Sequence, residues 1–195
     1  MAKEVSDSIA GLASADALVR QSAARELFGQ GKALAEVAAK SWLGDAELRS
    51  LLVRDAGGLH VTVGIAVPRE TFGKIRSANG SPPLAHVPPE EDAEEFKLKF
   101  SGSIRLDILT TRALEGSGVI ARFLEKFGEG IQQVEFAVTN VDRATELLLT
   151  RFGQSPIYPQ TRPGADGTRV NFFLVSVPQG RKVLVELVET PSRQF

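Results

Sequence analysis

Between Ser14 and Arg54 the apolar residues recur at helical spacing: Ala17, Ala24, Leu27 and Phe28, then Leu34, Val37, Ala38 and Trp42, then Leu48, Leu51 and Leu52. The pattern predicts three short helices, broken at Gly29 and Gly31 and again at Gly44, where Asp45 is placed to accept from the open amides of the third. After a linker at Asp55-Ala56-Gly57-Gly58 the period changes to two. TVGIAVPRET at 62–71 and QVEFAVTNVD at 133–142 read as half-buried strands leading into a turn or helix, and they align without a gap. RLDIL at 105–109 and LVELV at 184–188 alternate in the same way, so Asp107 and Glu186 hold equivalent places.

This internal repeat predicts an α+β fold of paired βαβββ modules, 58–112 and 129–190, that join into one curved mixed sheet. The domains are then a helical segment, 1–57, and a sheet domain, 58–195. Strand alternation assigns the faces. Val61, Val63, Ile65 and Val67 oppose His60, Thr62, Gly64 and Ala66; Val134, Phe136 and Val138 oppose Gln133, Glu135 and Ala137. Asp107 and Glu186 fall on the polar side of their strands. A helix with Val141, Ala144, Leu147, Leu148 and Phe152 on one face is expected to cover the apolar side. If the modules are related by a pseudo-twofold axis, Thr62, Asp107, Gln133 and Glu186 converge in a cup.

Composition narrows the chemistry. The chain has 195 residues, 43% of them hydrophobic, enough for one or two compact cores. A net charge of -1 leaves no basic excess for nucleic acid. The absence of cysteine removes disulfides, thiolate nucleophiles and thiolate metal sites. The charged N-terminus has no signal-like apolar core, and no run is long enough for a membrane span, so a cytoplasmic location is expected.

Two resemblances add to this reading. LASADALVRQSAARELFGQGKALAEVAAK followed by GDAELRSLL resembles one HEAT-type repeat. Such a unit needs neighbours, so it is expected to pack on the following domain or on a second subunit, as in a homodimer. GSGVIARFLEKFGEGIQQVEFAV, RPGADGTRVNFF and KVLVELVE resemble the second half of methylmalonyl-CoA epimerases, members of the vicinal-oxygen-chelate superfamily that includes glyoxalase and bleomycin-resistance proteins. The resemblance spans about 130 residues. It implies a cup holding a divalent ion (Co, Mn, Mg or Zn) that chelates adjacent substrate oxygens while a carboxylate moves the α-proton.

Carried over, the four ligand positions fall on Thr62, Asp107, Gln133 and Glu186, with no histidine among them. Thr62 and Gln133 are weak neutral donors, and the two carboxylates favour a hard ion. His60, two residues before Thr62, reaches the ligand position only through a bulge; otherwise it is a strand-edge histidine. Glu135 adds a third carboxylate near Asp107 and Glu186, a cluster that either recruits a cation or raises a pKa into the range where Glu135 and Glu186 serve as proton-transfer groups; the alternative is that Glu135 pairs with Arg105 or Lys182. Arg169 and Asn171 are candidates for holding an anionic substrate. Glu95 is the nearest candidate for the family's separate proton-transfer acid, and His86, in a proline-rich loop, is expected at the surface. Two functions follow: metal-assisted proton abstraction next to a carbonyl of a small carboxylate or acyl thioester, as in an isomerase, epimerase or lyase, or a metal-free small-molecule-binding or protein-interaction module on the same fold.

Overall fold

The computed structural model describes residues 2–55, 58–113, 118–178 and 182–191. In chain order the elements are α1 (Ala2–Gly11), α2 (Ala17–Ala39), α3 (Ala46–Leu51), β1 (Arg54–Asp55), β2 (Gly58–Leu59), β3 (Val61–Ala66), α4 (Arg69–Ala78), β4 (Ala93–Lys99) and β5 (Arg105–Thr111). Then come α5 (Val119–Phe127), β6 (Gly130–Ala137), α6 (Val141–Phe152), β7 (Arg162–Pro163), β8 (Arg169–Ser176) and β9 (Lys182–Glu189). The fold is α+β. No helix among the described residues is long and apolar enough to cross a membrane. The chain divides into two compact units, residues 1–31 with 62–132 and residues 32–61 with 133–195.

In the first unit β5 is central, antiparallel to β4 and parallel to β3, with Gly64 paired to Asp107 and Lys97 paired to Asp107 from the other side. The helix α4 follows β3, buries Phe72 and Ile75 and sets the Phe72 ring edge-on to Phe96, centroids 4.7 Å apart. Two features of the helical region depart from the pattern expected of it. An additional helix, α1, precedes Ser14 and buries Ile9. Gly29 and Gly31 do not end a helix: α2 runs through both for 23 residues. Gly31 is there because a Cβ would stand 2.4 Å from Val63 Cγ1, so only glycine lets the helix lie this close to β3.

In the second unit the order is β6, β9, β8, β7, with β6 parallel to β9 and the remaining pairs antiparallel. Asn140 caps α6 by accepting from Arg143 N, and Glu189 accepts from Val141 N at 2.8 Å. The expected stripe is present, with Val141, Ala144, Leu147 and Leu148 buried. Trp42 sits edge-on to Phe136, 5.9 Å between centroids. Asp45 caps α3 as expected, accepting from Leu48 N at 2.9 Å. Arg54 and Asp55 pair with Leu59 and Gly58 across the expected linker, of which Ala56 and Gly57 lie outside the described residues.

The second module has the whole βαβββ order. In the first, the stretch between α4 and β4 carries prolines at 82, 83, 88 and 89, which have no N–H to offer a ladder. A main-chain bond ties this stretch to the sheet, from Ala85 N to Glu95 O at 2.9 Å.

Candidate functional site

The repeat seen in the sequence is reproduced in the hydrogen-bond register. Gly64 on β3 pairs with Asp107 on β5, and Glu135 on β6 pairs with Glu186 on β9, both in parallel ladders. Paired residues share a face. In the first unit Thr62, Gly64 and Asp107 therefore share a face with Lys97 and Glu95 of β4. In the second, Gln133, Glu135 and Glu186 share a face with Phe172, which pairs with Glu186 from β8.

The two units use these equivalent places differently. In the first, buried Asp107 lies between a glycine and a lysine of opposite charge, an arrangement that places a built-in cation beside the acid. In the second, Glu186 lies between a second carboxylate and an aromatic ring. Gln133 holds the acids together: its Nε2 donates to Glu186 Oε2 at 2.5 Å and to Glu135 Oε1 at 3.3 Å. Gln133 and Glu186 are each 9% exposed, whereas Glu135 is half-buried and the more open of the two acids.

Phe172 continues the surface. The Tyr158 ring meets it edge-on, centroids 6.0 Å apart, and the Arg162 guanidinium lies over Tyr158 at 4.2 Å. Because Arg162 pairs with Val170, two residues from Phe172, it belongs to the same face as Glu186. Arg162 is hard to find from sequence alone, because β7 is two residues long and shows no periodicity.

Arg169 and Asn171 are not on this face, contrary to the expectation that they hold substrate. Asn171 pairs with Leu187, one step from the Phe172–Glu186 pair, and therefore points to the side covered by α6. It is fully buried there, 3.5 Å from Thr145 Oγ1. Arg169 is held by Asp142 at 2.5 Å and Glu189 at 3.5 Å. Hydrogen bonding from Thr161, then from Arg169, lowers the Asp142 pKa.

His60 is half-buried just before β3. Its N–H donates to Val53 O and its carbonyl accepts from Ala137 N, which sets its main chain beside Ala137, four residues along β6 from Gln133. Arg105 donates to Ser103 O at 3.1 Å, and Lys182 is exposed at the start of β9. His86 is exposed, as expected.

A divalent ion is a poor fit to these positions. The four aligned positions, Thr62, Asp107, Gln133 and Glu186, contain no imidazole, Asp107 has Lys97 across the ladder, and Gln133 turns a donor rather than its oxygen toward Glu186. Among the described residues no three His, Asp or Glu side chains are grouped so as to hold an ion.

Solved structures with the same architecture include a methylmalonyl-CoA epimerase from Mycobacterium tuberculosis, 28% identical, TM-score 0.54, matching 68% of this chain and 87% of its own. The chain has the vicinal-oxygen-chelate, glyoxalase-like fold. A methylmalonyl-CoA epimerase in complex with methylmalonyl-CoA and NH4+ is 24% identical, TM-score 0.55, over 73% of this chain and 97% of its own. A Streptomyces coelicolor methylmalonyl-CoA epimerase variant in complex with 2-nitronate-propionyl-CoA matches with the same identity, TM-score and coverages. No family profile matches the sequence, and no curated protein sequence does.

Proposed function

We propose that this chain binds a small carboxylate or acyl thioester on the polar face of its second module. There it takes a proton from the carbon next to the carbonyl, with Glu135 as base and Glu186 as its paired acid. The reading rests on one observation, the Gln133 amide that donates to two carboxylates at paired register positions. Two acids brought together in a partly buried place, bridged by a donor, form a proton-handling arrangement. The epimerases of the same fold that were crystallised with acyl-CoA ligands support the substrate class.

The atoms balance without a co-reactant. Glu135 takes the α-proton, the C–H electron pair moves into the carbonyl and the oxygen becomes an enolate. The weaker of the two Gln133 bonds, the one to Glu135 at 3.3 Å, is the bond that gives way, and the released N–H turns to the enolate oxygen. Return of the proton re-forms the C–H bond. When the Glu135 proton exchanges with water in between, solvent hydrogen enters the substrate.

A second reading, ligand binding without chemistry, is favoured by the register that sets Lys97 opposite Asp107, a cation across the ladder from the first module's acid. Incubation of propionyl thioester with the protein in D2O, followed by mass spectrometry, separates the two. Deuterium at the α-carbon supports proton transfer; thermal stabilisation by the thioester with no deuterium uptake supports binding alone.

A further inference from the structure

We infer that the ligand meeting Glu135 and Glu186 carries an apolar acyl chain that lies across Leu184 and Leu174, an inference that rests on the proton-transfer reading of the two acids. Strand register lays the polar face of the second module out in rows across β6, β9 and β8. One row reads Gln133, Leu184, Leu174; the next Glu135, Glu186, Phe172; the next Ala137, Val188, Val170. Gln133 and the two acids thus fill one corner of this field, and every other position in it is apolar. Ile157 lengthens the Phe172 row, because its N–H donates to Phe172 O at 2.7 Å beside the Pro156–Phe173 bridge. Beyond Leu184 and Leu174 the next pair is Lys182 and Ser176, both exposed, so the field ends at a polar rim.

Exposure singles out the part of the field that a ligand would cover. Val170 is in the core, whereas Leu174 and Ile157, on either side of half-buried Phe172, are 47% and 49% exposed. A lone exposed leucine calls for no explanation; an apolar patch that continues from a buried acid does. The occupant follows from where the patch begins. It starts at the carboxylates, so the group that covers it is joined to the carbon they meet, and burial of that group is favourable only if it is apolar. Leu174 is one strand and two residues away from Glu186, about 8 Å between main chains. At roughly 1.2 Å per bond, an octanoyl chain reaches about 8 Å and covers both leucines, while a propionyl chain stops short of Leu174. The rim at Lys182, four residues along β9 from Glu186, is about 13 Å away and limits the useful length.

The test offers the full chain the propionyl, hexanoyl and octanoyl thioesters of N-acetylcysteamine, with deuterium uptake in D2O and calorimetric affinity as readouts. Each methylene, covered on one side, is expected to raise kcat/KM about twofold, so octanoyl exceeds propionyl by roughly thirtyfold. Leu174→Ser is expected to lower that ratio about tenfold, and Leu174→Met to keep it. The chain-length series on the wild type needs no variant, so the inference stays testable even if Leu174→Ser fails to fold. Equal values for propionyl and octanoyl, or a ratio unchanged in Leu174→Ser, overturn it. So does a wild-type dimer in sedimentation equilibrium that becomes a monomer in Leu174→Ser, because a second copy then covers the patch. If no thioester takes up deuterium, yet affinity rises with chain length and falls in Leu174→Ser, the proton-transfer reading has failed and the acyl-chain strip stands. If uptake occurs at the same rate for every chain length, the acids are correctly assigned and the strip is not.

Discussion

Glu135 occupies, opposite Glu186, the place that Gly64 occupies opposite Asp107. One module thus gains an acid where its counterpart has no side chain, and Gln133 binds both acids through one amide nitrogen. Removing that amide leaves two acids without their shared donor. Gln133→Ala is expected to lower unfolding free energy by about 1–3 kcal/mol. Urea melts of the single variant and of the pair with Glu135→Gln check the coupling, because relieving the charge is expected to make the double variant less unstable than the sum of the singles.

The helix α2 tests the close approach of Gly31 to Val63. Gly31→Ala drives a Cβ into the Val63 methyls and is expected to destabilise by about 1–3 kcal/mol. Gly29→Ala, in the same helix with nothing within 4 Å of the new methyl, is expected to stabilise by about 0.5–1 kcal/mol. Thermal melts of the two variants are expected to move in opposite directions.

Acid sensitivity is expected from the ion pairs joining α3 to α6. Asp45 is held below the ordinary aspartate range by the Leu48 amide and then by Arg151; Glu47 is lowered by Arg143 and then by Arg151. Arg151 meets Asp45 at 2.7 Å and Glu47 at 2.6 Å. For a carboxylate lowered by folding, the stabilisation is complete above its unfolded pKa, about 3.9 for Asp and 4.3 for Glu. It is lost as pH falls through the lower folded value. Tm is expected to hold from pH 7 to about pH 5 and to fall below about pH 4. In Arg143→Gln/Arg151→Gln the Tm starts lower and its acid decline is shallower.

Metal dependence follows from the donor set. Protein purified without chelator is expected to carry no stoichiometric Mn, Co, Mg or Zn, and these ions are expected to leave Tm unchanged. Elemental analysis and thermal melts check this, with Asp107→Ala and Glu186→Ala as comparisons. Ion-dependent stabilisation that is lost in either variant would restore a chelate at these positions.

Much of the fold was legible because two strands of the repeat align without a gap and their parity is fixed by buried valines. Val63, Ile65, Val134 and Phe136 determine where Thr62, Gly64, Gln133 and Glu135 point, and the observed register agrees. Other features depend on which residues pair across strands. Arg169 and Asn171 fall on the α6 side because Phe172, not Asn171, stands opposite Glu186, and a shift of one residue exchanges faces. Lys97 is visible as a partner of Asp107 only once β4 is known to be antiparallel to β5. The run of α2 through Gly29 and Gly31 defeats local punctuation, because the reason for Gly31 is a strand 32 residues later in the chain.

The central claim is that Glu135 and Glu186 move a proton, and deuterium uptake from D2O into the α-carbon of an acyl thioester in the presence of chelator measures it. Wild-type protein is expected to catalyse uptake, Glu135→Gln to lose it by about a hundredfold or more, and the helix variant Gly29→Ala to keep it. Uptake in Glu135→Gln equal to wild type, uptake that disappears with chelator, or none above the protein-free rate would contradict the account.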